Sequence, residues 1–181
     1  MTQGNLLRLL GHAETSTHAT PGLLLDRPVT GSVTRSQMPV SPRPRNASYT
    51  RYAAGDTTQP GKSRAHARAF LRCCRDIGPD TMATAELLVS ELVTNACSYS
   101  PAGSPVGLSL RHFPRHLLIE VIDASPDPPV LTDPDTDSQQ GRGLLLVSAM
   151  TATWGYFRLH DGRKAVYAIL PLPEPEHIPH R

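Results

Sequence analysis

Glu91 and Asn95 stand four residues apart in Glu91-Leu92-Val93-Thr94-Asn95-Ala96. In a helix that spacing stacks them one above the other on one face. Leu88, Val89, Leu92 and Ala96 supply the apolar stripe of a core-facing helix beside them. A carboxylate at a helix edge can orient or deprotonate an attacking hydroxyl, and an Asn side-chain oxygen is a neutral ligand for Mg²⁺. A polar pair on the exposed half of a surface helix has the same spelling, so these two residues are not distinctive by themselves.

Three features downstream bear on the same chemistry. Asp123 closes an apolar strand pattern, where its carboxylate can accept a hydrogen bond from the exocyclic amine of adenine; starting a turn before Ala124-Ser125-Pro126 is its ordinary alternative. Gly141-Arg142-Gly143-Leu144 lies between a long loop and a helix, so its backbone N–H groups can approach a phosphate at a helix N-terminus. A loop hinge would use the same glycines. Residues 124–140, rich in Pro and Asp, are too long for a simple connector and could close over a nucleotide as a lid.

A competing motif is weaker. Gly55-Asp56-Thr57-Thr58-Gln59-Pro60-Gly61-Lys62-Ser63 looks like a phosphate-binding loop, but five residues separate its glycines rather than four. Pro60 also removes one of the N–H groups such a loop needs. A polar loop leading into a capped helix is the better reading.

The elements that must position these residues follow from periodicity. An edge strand is expected over 48–53 and a helix over 63–77, with Ala67, Phe70, Leu71, Cys74 and Ile77 on one face and Arg64, Arg68, Arg72 and Arg75 on the other. Gly78-Pro79 stops that helix, and Asp80 or Thr81 can cap the next, which runs to about Tyr99. Val106, Leu108 and Leu110, then Leu117, Ile119 and Val121, alternate as a strand pair, with Asp123 on the face of Ile119 and Val121. A helix over 142–151 and a hairpin, 153–159 with 164–170, complete the order. Asp161-Gly162 signals a type I′ turn. The expected fold class is α+β, a two-layer sandwich with helices on one face of a mostly antiparallel sheet.

Composition narrows the function classes. Residues 1–61 carry six Lys/Arg against three Asp/Glu, and the rest carry twelve against thirteen. The domain is therefore near neutral, which argues against a nucleic-acid footprint on it. Residues 1–47 lack sustained periodicity and read as a flexible, Pro- and Arg-containing arm; 48–172 form the domain, and 173–181 a tail. Cys73, Cys74 and Cys97 offer neither a disulfide framework nor a zinc site. His112 and His116 flank a turn and read as a solvated hairpin end. No signal peptide or membrane span is legible, so a cytoplasmic protein is the expectation.

Taken in order, these motifs resemble the ATP-binding superfamily of gyrase, histidine kinases and mismatch-repair ATPases, and within it the bacterial anti-sigma factor serine kinases. Glu91-Leu92-Val93-Thr94-Asn95-Ala96 is similar to the N box, Val121-Ile122-Asp123-Ala124-Ser125-Pro126 to the adenine box, and Gly141-Arg142-Gly143-Leu144 to a glycine box. The resemblance implies a Bergerat-type ATP-binding fold with ATP and Mg²⁺ as ligands. It makes Glu91 the catalytic base and Asn95 the Mg²⁺ ligand. Asp123 would read adenine, and Gly141, Arg142, Gly143 and Leu144 would line the triphosphate. It further implies an anti-sigma antagonist protein and a sigma factor as partners, and homodimerisation. The alternative is a non-catalytic ATP-binding module controlling a protein partner. The chain departs from the family where Cys97-Ser98-Tyr99 replaces a basic or His residue and where no glycine follows Asp123. The resemblance puts Ala165 at the hairpin position where many relatives have a Thr near the adenine, which would remove a hydrogen bond.

Overall fold

The computed structural model describes residues 13–14, 43–130 and 142–173. Most of the expected arm, the second half of the 124–140 loop and the tail from 174 lie outside the described residues. Within them, strands β1 (Ala13–Glu14), β2 (Asn46–Ala53), β3 (Pro105–Phe113), β4 (His116–Asp123), β5 (Thr153–Leu159) and β6 (Lys164–Pro171) form one sheet in the order β1-β5-β6-β4-β3-β2. All neighbouring pairs are antiparallel. Helices α1 (Gln59–Leu71), α2 (Pro79–Tyr99) and α3 (Arg142–Met150) supply the second layer. This is the α+β sandwich expected. β2 is an edge strand, beginning at Asn46 rather than Ser48, and Ala13–Glu14 pair with Leu159 and Arg158 at the opposite edge.

α2 is the central helix. Ala85, Leu88, Val89, Leu92, Val93 and Ala96 recur at helical spacing and are all buried, facing Val106, Leu108, Leu110, Leu117, Ile119 and Val121 of the sheet. Asp80 and Thr81 do not cap it: Gly78 is the N-cap, and Pro79 begins the first turn, where its fixed φ and missing N–H cost nothing.

α1 differs from expectation at both ends. It starts at Gln59 and stops at Leu71. Beyond it the N–H groups of Cys73 and Cys74 reach back only three residues, to Phe70 and Leu71, and that of Ile77 to Cys74. Three-residue turns keep Leu71, Cys74 and Ile77 on one side, so the buried pattern continues after the helix has ended. Arg64 and Arg68 of the outer face, though exposed, reach across to α2. Arg68 donates from Nε and Nη2 to the two oxygens of Glu86 on α2 at 2.8 and 2.6 Å, and Arg64 donates to Ser90 Oγ at 2.6 Å. The Arg68 guanidinium holds the Glu86 carboxyl below the usual carboxylate range.

The phosphate-loop look-alike satisfies itself. Asp56 Oδ1 accepts from the Thr58 N–H at 2.8 Å, and Asp56 Oδ2 accepts from Gln59 and pairs with Lys62 at 3.3 Å. The carboxylate thus occupies the helix start that a phosphate would need.

Two local expectations are overturned. The β5–β6 turn is not type I′: Gly162 N–H donates to Leu159 O, and Leu159 N–H to Arg163 O, closing a three-residue loop with Gly162 at φ 82°. That pattern is a turn followed by a left-handed glycine bulge, and Asp161 stabilises it by accepting from the Arg163 N–H. His112 is not solvated either; it is 1% exposed, and its Nε2 lies 3.1 Å from Asp76 Oδ1 without hydrogen-bond geometry. His116 stacks on Phe113.

Burial holds the imidazoles of His66, His112 and His116 below the usual histidine range. The unfolded chain therefore binds more protons as pH falls below about 6.5, and stability must drop there. Urea titrations at pH 7.5 and 5.5 will show the lower midpoint at pH 5.5, and His112→Asn will make the difference smaller.

Candidate functional site

The C-terminal half of α2, the end of β4, the start of β6 and α3 converge on a cavity of about 310 Å³. α2 contributes Leu92, Asn95, Ala96 and Tyr99, β4 contributes Asp123, and α3 contributes Leu144. β6 contributes Lys164 and Val166, and the segment after β4 closes one side with Ser125, Asp127 and Pro128 to Val130. Apolar walls with a few polar groups at this volume suit a small planar ligand.

Asp123 reaches the cavity because strand alternation puts it on the face of Leu117, Ile119 and Val121, one step beyond the packed core. It is 1% exposed. Oδ1 accepts from the Ser125 N–H at 2.8 Å, so the turn that replaces the expected glycine is organised around this carboxylate. Burial pushes the Asp123 carboxyl up, and the Lys164 ammonium at 3.4 Å pulls it partly back. The same burial pushes the Lys164 ammonium down, against the opposing effect of Asp123.

Glu91 and Asn95 lie one turn apart on α2, as their spacing requires. Asn95 lines the cavity, whereas Glu91 sits a turn before it, against α3. A methyl at Gly143 would overlap Glu91 Oε2 and touch Glu91 Cβ at 3.4 Å. The glycine is therefore needed for the approach of the carboxylate to the start of α3, and Leu144, 3% exposed, anchors that helix in the core. Arg142 is the first residue of α3, and Gly141 lies outside the described residues. So Asn95, Asp123 and Leu144 share one cavity, with Glu91 and Gly143 in contact beside it. A buried carboxylate in an apolar cavity, with an amide at its wall and a glutamate one turn away, fits a nucleotide with its metal: Asn95 would hold the ion and Asp123 the base.

The residue beside Asp123 is not Ala165. In the β4–β6 register Asp123 pairs with Lys164 and Ile122 with Ala165, so Ala165 joins the cluster of Phe113, Leu118, Ile122, Phe157 and Tyr167 on the sheet face away from the helices. Lys164 was not foreseen. Residues 164–170 are buried on both faces, so their sequence carries no in–out alternation from which parity could be read. Arg158 was missed for a similar reason: its function depends on a backbone 33 residues away, where it donates to Ser125 O at 3.2 Å and also to Pro126 O.

Gly143→Ala isolates the Glu91 contact. The added methyl turns the Glu91 carboxylate aside, while alanine gains helix propensity of up to about 1 kcal/mol. The expected outcome is a denaturation midpoint shifted by no more than about 1 kcal/mol, with any nucleotide-dependent activity reduced about 10–100-fold.

Among curated proteins none matches this chain. Among the described residues no helix is long and apolar enough to cross a membrane. The profile of the histidine kinase-like ATPase domain matches residues 54–170, which run from the end of β2 to the last core strand and take in Glu91, Asn95, Asp123, Gly143 and Lys164. The residues that line the cavity, from Leu92 to Val166, all fall within the matched span, and the chain belongs to the histidine kinase-like ATPase domain family.

Proposed function

We propose that this protein is an ATP- and Mg²⁺-dependent serine/threonine protein kinase of anti-sigma type. It transfers the γ-phosphoryl group of ATP to a Ser or Thr of an anti-sigma antagonist protein, and in its other state it holds a sigma factor. The observation that carries this reading is the metal end of the site. Glu91 rests against Gly143 at the start of α3, one turn from Asn95 on the cavity wall. Phosphoryl transfer needs little from the protein beyond positioning and charge neutralisation. Asn95 supplies a neutral oxygen for the ion, and Glu91 a carboxylate that orients the attacking hydroxyl. Family membership supports ATP binding; the serine/threonine acceptor, the antagonist, the sigma factor, a homodimer and a cytoplasmic location rest on the resemblance of the N, adenine and glycine boxes.

A second reading has its own observation. Lys164 stands 3.4 Å from the carboxylate expected to read adenine, which favours a module that binds nucleotide as a conformational ligand without turnover.

Purified protein incubated with Mg²⁺, γ-labelled ATP and candidate antagonist proteins separates the two. The kinase predicts label on the antagonist, lost by about 100-fold or more in Glu91→Ala, with partner binding retained. Nucleotide binding with no transferred label to any antagonist would favour the second reading. Absence of both binding and transfer would sink the nucleotide reading altogether.

A further inference from the structure

Lys164 is the least expected feature of the cavity. Its side chain is 6% exposed, and the Asp123 side chain beside it is 2% exposed. The strand register fixes this meeting, since the two residues are paired across β4 and β6. Lys164 Nζ lies 3.4 Å from Asp123 Oδ1 and donates to Asp127 O at 2.8 Å, so its place in the wall is set by a carboxylate and a carbonyl. Asp123 Oδ1 also accepts from the Ser125 N–H. The end of the cavity therefore offers two kinds of group side by side, a carboxylate that only accepts and an ammonium that only donates.

A buried carboxylate by itself prefers a base that presents an amine. Adenine does so at its 6-position, whereas a 6-oxopurine would set a carbonyl oxygen against the carboxylate, and two acceptors in a low-dielectric site repel each other. An adjacent ammonium changes that balance. The 6-oxygen can accept from Lys164 while the N1–H donates to Asp123. Adenine needs only its amine on Asp123, so the ammonium is required by the 6-oxopurine alone.

From this pairing we propose that Lys164 is a specificity-determining residue that reads the base together with Asp123, and that it admits 6-oxopurine nucleotides to the cavity alongside ATP. The inference rests on the nucleotide reading of the site and goes beyond it in naming the class of base.

The cleanest probes are ATP and ITP, which differ only at the edge in question. Each is titrated, with Mg²⁺, against a ribose-labelled fluorescent ATP bound to the full chain. In the unmodified protein the two should compete within about tenfold of one another. Lys164→Met should weaken ITP relative to ATP by about tenfold or more, the size expected for one hydrogen bond to a charged group. Lys164→Arg, which keeps a cationic donor, should leave the ratio within about threefold of the parent's. Circular dichroism checks that each variant folds, and Lys164→Leu is the second donor-free variant should Lys164→Met not fold. ITP binding more than about tenfold weaker than ATP in the unmodified protein overturns the proposal, as does an unchanged ratio in the neutral variant. Either of those results leaves ATP binding standing; failure of the fluorescent nucleotide to bind at all removes the nucleotide reading and this inference together.

Discussion

The fold is organised by the burial of α2 against the sheet. Its inner stripe packs on β3 and β4, α1 and α3 pack beside it, and its last two turns form a wall of the cavity. A 21-residue helix is about 30 Å long, enough to span the sheet and still carry a polar pair near its C-terminal end. Because the apolar stripe fixes the rotation of α2 about its axis, it also fixes where Glu91 and Asn95 point. Core packing and site geometry are thus a single constraint. A change that rotates this helix moves the glutamate away from Gly143 and the asparagine away from the cavity.

Two polar groupings border the cavity. At one, Glu91 and Asn95 are half-buried, and the approach of a helix start at Gly143 gives the glutamate a defined neighbour. At the other, Asp123 and Lys164 are both buried and held against each other. Removing two charges from water costs several kcal/mol each, and mutual attraction recovers this only with good additional hydrogen bonds. The Ser125 N–H and the Asp127 carbonyl provide them. Arg158 reinforces the arrangement by donating to the carbonyls of Ser125 and Pro126, so the segment leaving β4 is tied to the β5–β6 hairpin from two side chains. An ion pair of this kind is weak ground for stability. Its placement inside the cavity is better explained by what it offers a ligand.

Legibility in the sequence tracked how much of each signal is local. The long run from Ala85 to Ala96 has one strong period and was readable as a buried helix. In β4 simple parity placed Asp123 on the face of Ile119 and Val121, although both faces of that strand are buried. α1 was readable in kind but not in extent, because three-residue turns and α-helix share a buried spacing of about three residues. The β5–β6 turn misled because Asp-Gly suits both a two-residue loop and a three-residue loop with a left-handed glycine. His112 read as surface because a hairpin end usually is; Asp76, 36 positions earlier, lies against it.

The sequence by itself determined the element order from β2 onward, the antiparallel α+β class and the residues Glu91, Asn95, Asp123 and Gly143, since each depends on helix or strand periodicity or on a short motif. Only the tertiary structure decided which of them share a cavity, that Glu91 packs on Gly143, and that Lys164 rather than Ala165 stands beside Asp123. The reason is register. A strand buried on both faces has no alternation to read, a one-residue shift moves every side chain to the other face, and the register of β6 against β4 is set by cross-strand hydrogen bonds and packing that no local pattern encodes.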